Sequence, residues 1–195
     1  MRFFRENADS IVKLYINQIG VAIFSMFIYT AAGAISVGGV TSLLIKVGIS
    51  VFAVFFYFAL LYTVMWEIGA KDKIRIEGRR IEEKKSKGIL LGLYANTPNF
   101  VFVGLALVLF SMYMLTGVGA FEAIFGVLSV FFRIFMSMYL GIIQGLTDSL
   151  TGDIDLLVET ALYLAFSLVS AAVVHFSYLM GLKEKRLFTR PPFQK

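Results

Sequence analysis

The chain has 195 residues, of which 58% are hydrophobic and 16% charged, with 18 Lys and Arg against 13 Asp and Glu and no cysteine; its mean hydropathy is +0.81. A globule of this size has too little interior to bury so much apolar surface, which excludes an ordinary soluble domain and assigns most of these side chains to lipid. Without cysteine there is no disulfide framework, thiolate metal site or cysteine nucleophile, and His175 alone cannot build a multi-histidine metal centre.

Five apolar segments follow one another at about 14–37, 43–66, 98–117, 121–146 and 156–182, each long enough to test against the ~20 residues of a spanning helix. Strands are not expected, because isolated strands leave backbone groups unpaired in hydrocarbon and the alternation of a barrel is missing. The expected fold is therefore all-α, a single transmembrane bundle of four to five hydrophobic helices. Arg2, Arg5 and Lys13 precede the first segment, which ends in Ala32-Gly33-Ala34. That ending resembles a signal cleavage site, but the leading region is long and carries Glu6 and Asp9, so a retained helix is expected. Asn17, Gln18 and Lys46 are shallow enough to reach an interface. The uncharged linker Gly38-Gly39-Val40-Thr41-Ser42 then turns the chain on the outer side.

The loop from Glu67 to Lys87 holds eight basic and five acidic residues, which by the positive-inside rule makes it cytoplasmic, and the amino terminus with it. Lys71, Lys73, Arg75, Arg79, Arg80, Lys84 and Lys85 are its candidate contacts with anionic headgroups or a soluble partner. The run Lys71 to Ile81, alternating up to a Glu-Gly pair, suggests a short hairpin lying on the headgroups. Gly88 to Asn96 reads as an interfacial helix, and Thr97 as the N-cap of a helix with Pro98 at its first position. The pI near 9.4 does not indicate nucleic acid, because the basic residues flank apolar segments.

Lys183, Lys185, Arg186, Arg190 and Lys195 also ask for a cytoplasmic address, yet three apolar segments separate them from the basic loop. Either the tail is outside, or one segment does not cross. The candidate for the second case is the fourth, 121–146, as a re-entrant or interfacial piece, because Arg133 lies at its middle. In that segment Glu122, Gly126, Ser129, Arg133, Ser137, Gly141, Gln144 and Asp148 recur every three or four residues and would share one helix face. Glu159, Tyr163, Ser167, Ser170, Val174, Ser177 and Gly181 repeat the pattern in the last segment. An antiparallel pairing of the two would set Gln144 level with Glu159 and Arg133 level with Ser170. Arg133 at membrane depth needs compensation: an anionic ligand or partner would supply it, as would a structural pair with Glu159 or snorkelling to the surface. Arg133, Ser129, Ser137, Gln144, Glu159 and Ser170 are the candidate ligand or partner residues. His175 reads as a satisfied packing histidine. Trp66, Tyr62, Tyr139 and Tyr178 read as interface or packing aromatics.

The stretches Tyr62-Thr63-Val64-Met65-Trp66-Glu67-Ile68-Gly69-Ala70-Lys71-Asp72-Lys73 and Met138-Tyr139-Leu140-Gly141-Ile142-Ile143-Gln144-Gly145 are similar to uncharacterised small multi-pass membrane proteins of Gram-positive bacteria. The resemblance extends over the whole chain, implies a bacterial cytoplasmic membrane, and attaches no activity. Metalloprotease, serine-hydrolase and nucleotide-loop signatures are missing. The expectation is a non-enzymatic membrane subunit or scaffold without a cofactor, working with a membrane protein partner or as a homo-oligomer. The alternative is a small-solute transport component with a polar cavity near Arg133.

Overall fold

The computed structural model describes residues 2–35, 40–147 and 153–187. They form α1 (Arg2–Ile35), α2 (Val40–Glu77), α3 (Lys87–Ala95), α4 (Thr97–Thr116), α5 (Gly119–Phe135), a 3-10 turn (Ser137–Tyr139), α6 (Leu140–Thr147) and α7 (Asp153–Leu182). No strand occurs among the described residues. Four helices are long and apolar enough to cross a membrane, over Phe3–Ala31, Leu43–Glu77, Thr97–Thr116 and Val158–Leu182, and α5 with the segment Ser137–Thr147 makes a bent fifth candidate. Large apolar side chains such as Phe27, Phe55 and Leu115 are exposed on the outside of the bundle, as lipid requires and water would not tolerate in such number.

Glycines set the closest approaches. A Cβ on Gly181 would overlap the Trp66 carbonyl oxygen and one on Gly69 the Tyr178 carbonyl oxygen, so α2 and α7 cross there backbone to backbone. A Cβ on Gly88 would fall 2.8 Å from the Tyr178 Cβ, and one on Gly92 2.8 Å from the Ala171 Cα, which seats α3 along α7. Gly141 of α6 leaves room for the Lys46 carbonyl of α2 in the same way. Around these crossings Leu14, Leu61, Met65, Leu91, Met138 and Tyr163 form a closed core.

Several sequence expectations are corrected here. The polar lead from Arg2 is helical, with a kink at Asn7, and α2 continues through Lys71–Glu77 where a hairpin was expected. The i,i+4 pairs Lys71–Glu67 and Lys73–Glu77 lie on that extension, where they support helix. Val40–Ser42 of the expected linker belong to α2. The α3 helix is present over the expected stretch and buries one face, Gly88, Leu91, Gly92 and Ala95, against its neighbours, while Leu90, Leu93 and Tyr94 are exposed. Thr97 lies inside α4 and donates its hydroxyl to the Leu93 carbonyl, so it is no N-cap; Asn96 flanks the helix instead. Gly38, Gly39, Asp148, Arg190 and Lys195 lie outside the described residues.

The fourth apolar segment is not one helix. Its two halves meet at Met136 and are bent by 78°. Phe110 lies against Phe125, and Phe102 against Phe132 and Phe135, so α5 runs antiparallel to α4 toward the middle of the bundle. At the turn, Ser137 donates to the Ala22 carbonyl midway along α1. From there α6 runs back beside the start of α2, where Gly141 N–H donates to Ser50 Oγ at 2.7 Å and Gly145 lies against Val47. The hairpin therefore enters and leaves at the end of the bundle opposite the basic loop. The residues after α7 return to the basic end, where Trp66 Nε1 donates to the Lys185 carbonyl at 2.8 Å and Lys73 pairs with Glu184 at 3.0 Å.

Candidate functional site

Polar side chains occupy three levels of the bundle, and they pair differently at each. At the basic end, the Asp72 carboxylate is 2% exposed and accepts from Lys87 Nζ at 2.6 Å and from the Tyr178 hydroxyl at 3.0 Å, tying α2, α3 and α7 together. A buried carboxylate with a direct cationic partner and a second donor has the compensation that burial demands. Lys71 pairs with Glu67 at 2.6 Å, Lys73 with Glu184, and Arg75 lies 3.9 Å from Asp72. Arg79, Arg80, Lys84 and Lys85 occupy the exposed turn between α2 and α3, where Lys85 is 3.9 Å from Glu83. Exposed pairs of this kind contribute little to stability, so these cations are available to surroundings. The Arg186 guanidinium stands 4.4 Å from the Trp66 ring centroid, a cation–π contact on the same surface.

The middle level was not anticipated. Gln18 Nε2 donates to Asn99 Oδ1 at 3.0 Å, Asn99 Nδ2 to Asn96 Oδ1 at 2.9 Å, and Ser170 Oγ to the same Asn96 oxygen at 3.1 Å. Asn96 Nδ2 donates back to the Gly92 carbonyl at 2.9 Å. This chain joins α1, the α3–α4 break, and α7, and all four side chains are at most 2% exposed. Gln18 is thus buried rather than reaching an interface. Asn96 and Asn99 do more than start a helix. Pro98 removes a backbone donor at the break, next to which Asn96 and Asn99 bond to each other.

At the far level, Arg133 Nε and Nη2 donate to the two Glu159 oxygens at 2.9 and 2.7 Å, a bidentate pair that the Tyr163 hydroxyl joins at 3.1 Å. The Glu159 pairing weighed for Arg133 is the one present, and the register expected between the two stripes is not. Gln144 meets Tyr29 of α1 rather than Glu159, and Ser170 meets Asn96 rather than Arg133. The bend at Met136 divides the stripe: Ser129 donates along its own helix to the Phe125 carbonyl at 2.9 Å, while Ser137 is held by α1. Lys46 Nζ sits 5.6 Å from the Tyr29 ring centroid. The space beside the Arg133–Glu159 pair, lined by Ser129, Phe132, Glu159, Thr160 and Tyr163, amounts to about 20 Å³, room for about one water molecule and no larger solute.

His175 packs against α3 at Gly88, but its buried Nδ1 has no hydrogen-bond partner among the described residues, so it is packed without being satisfied. Tyr139 and Tyr178 are packing aromatics, each 1% exposed. No group of three His, Asp or Glu side chains is placed to hold a metal ion among the described residues. No known protein family, curated protein or solved structure matches this chain.

Proposed function

We propose that the protein is a non-enzymatic subunit or scaffold of a bacterial cytoplasmic membrane, with four spans, both basic segments on the cytoplasmic side, and α5–α6 as a re-entrant hairpin from the outer side. The observation that carries this reading is how the polar groups divide. Those at membrane depth are used on one another, as in Arg133 with Glu159 and Gln18 with Asn99, Asn96 and Ser170. Those at the basic end, Arg79, Arg80, Lys84 and Lys85 above all, face outward. Internal pairing fixes the bundle as a rigid body. A surface of outward cations next to Trp66 suits anionic headgroups or an acidic partner segment.

The test is purification in mild detergent, with mass measurement and identification of co-purifying proteins and lipids. A defined complex or oligomer is expected, retaining anionic lipid that Arg79→Gln, Arg80→Gln, Lys84→Gln and Lys85→Gln together release. A lone monomer whose lipid content the four substitutions leave unchanged refutes the proposal.

A further inference from the structure

Between α4 and α5, near the Gly117–Val118 connection and away from the basic end, lies a cavity of about 520 Å³ lined by Phe110, Tyr113, Gly119, Glu122, Ala123, Phe125 and Gly126. We propose that it is a binding site for an organic ammonium group, with Glu122 as the counter-charge and Phe110, Tyr113 and Phe125 as its aromatic walls. The site is separate from the paired residues above, and the proposal holds whether or not the chain is a subunit.

The chemistry follows from what the walls contain and omit. Glu122 is the cavity's one charged residue, and it has no ion pair or hydrogen bond among the described residues. The cation on its own helix, Arg133, lies eleven residues away, about 16 Å along the axis, and is committed to Glu159. Glu122 stands in the first turn of α5, where the positive end of the helix dipole favours a negative side chain. That position explains the charge without filling the space beside it.

A carboxylate without a counter-charge attracts a cation, and the aromatic rings beside it favour one that is weakly hydrated and carries carbon. The Phe110 and Phe125 centroids are 6.4 Å apart at 57°. Gly119 and Gly126 keep the volume open, since a Cβ on either would meet nothing within 4 Å. The volume suits a tetraalkylammonium or the amine head of a lipid, and Ile124 and Val127, exposed close by, give alkyl chains an apolar surface to follow. A small hydrated metal ion would gain little from such walls, because they offer it one carboxylate and no further oxygen cage.

The full chain in neutral detergent is titrated with tetraethylammonium by calorimetry, with sodium at equal ionic strength as the control. Saturable binding is expected for tetraethylammonium and not for sodium. Glu122→Gln should weaken it at least ~10-fold, Tyr113→Leu by several-fold, and Gly126→Leu should abolish it by filling the space. Glu122 is exposed, so Glu122→Gln should keep the elution profile and thermal transition of the native chain, which separates a lost site from a lost fold. Repeating the titration in phosphatidylglycerol nanodiscs with and without phosphatidylethanolamine tells the source of the amine. Competition by phosphatidylethanolamine assigns the site to a lipid headgroup, and no competition to a free organic cation. Binding unchanged in Glu122→Gln, or no saturable binding in either detergent or phosphatidylglycerol nanodiscs, overturns the proposal.

Discussion

Two kinds of residue hold this bundle together, and they fail differently when replaced. Gly181 and Gly69 bring α2 and α7 into backbone contact, with no flexible side chain to yield on the far side. Gly181→Val should therefore cost about 2–3 kcal/mol, read as a lower midpoint in denaturing-detergent titration. By contrast Gly126→Ala, whose Cβ meets open space, should leave the midpoint unchanged. The Arg133–Glu159 pair is held by two charge-assisted hydrogen bonds. Because Arg133 is itself about half exposed, with 51% of its side chain accessible, its worth is moderate. Glu159→Gln alone should cost about 1–3 kcal/mol, since it removes the charge that strengthens both hydrogen bonds from the guanidinium. Arg133→Met together with Glu159→Gln should recover part of that loss, because no unpaired charge remains. A double-mutant cycle on the same titration gives the coupling energy; a value of zero would mean that the pair does not hold α5 to α7.

The elements show where a helical pattern misleads. Positions 122 to 148 repeat every three or four residues and ask for one long helix, but the chain turns at Met136 with neither proline nor glycine to announce it. What decides is tertiary: Ser137 finds the Ala22 carbonyl, and Gly141 finds Ser50 on α2, so ending α5 early leaves few backbone groups unpaired. Since the chain contains no cysteine, paired single-cysteine substitutions can test the arrangement directly. Gly145→Cys with Val47→Cys should cross-link, because a Cβ at Gly145 would fall 2.9 Å from Val47. Gly126→Cys with His175→Cys should not, because Gly126 has no neighbour and His175 lies by Gly88. The reverse pattern would restore the single straight helix. The apolar segments and the basic loop were legible because composition alone sets them. The run of α2 past Trp66 was not, because apolar windows mark the hydrocarbon part of a helix and not its charged continuation. The Gln18–Asn99 bond joins residues 81 apart, a pairing no local spacing encodes.

At the scale of the whole molecule, one geometric relation motivates the proposed number of crossings. Trp66, Tyr62 and Lys73 of α2 hold the segment after α7 through the Lys185 carbonyl, the Leu187 N–H and Glu184. Lys87 at the start of α3 meets Asp72 on the same helix end. The chain thus leaves the basic end at α3 and comes back to it after α7. Under the proposed topology it makes two crossings in between, by α4 and α7, with α5–α6 returning to its side of entry. That topology would let both basic segments follow the positive-inside rule despite the three apolar segments between them. Single cysteines at Lys84 and at Glu184 should then react with a membrane-impermeant maleimide only in inverted vesicles, and one at Leu146 only in intact cells. Met138→Cys, at a position 0% exposed in the hairpin turn, should resist labelling from both sides. Labelling of Glu184→Cys in intact cells would make α5–α6 a fifth span, move the tail outside, and separate the Trp66 contact from the native arrangement.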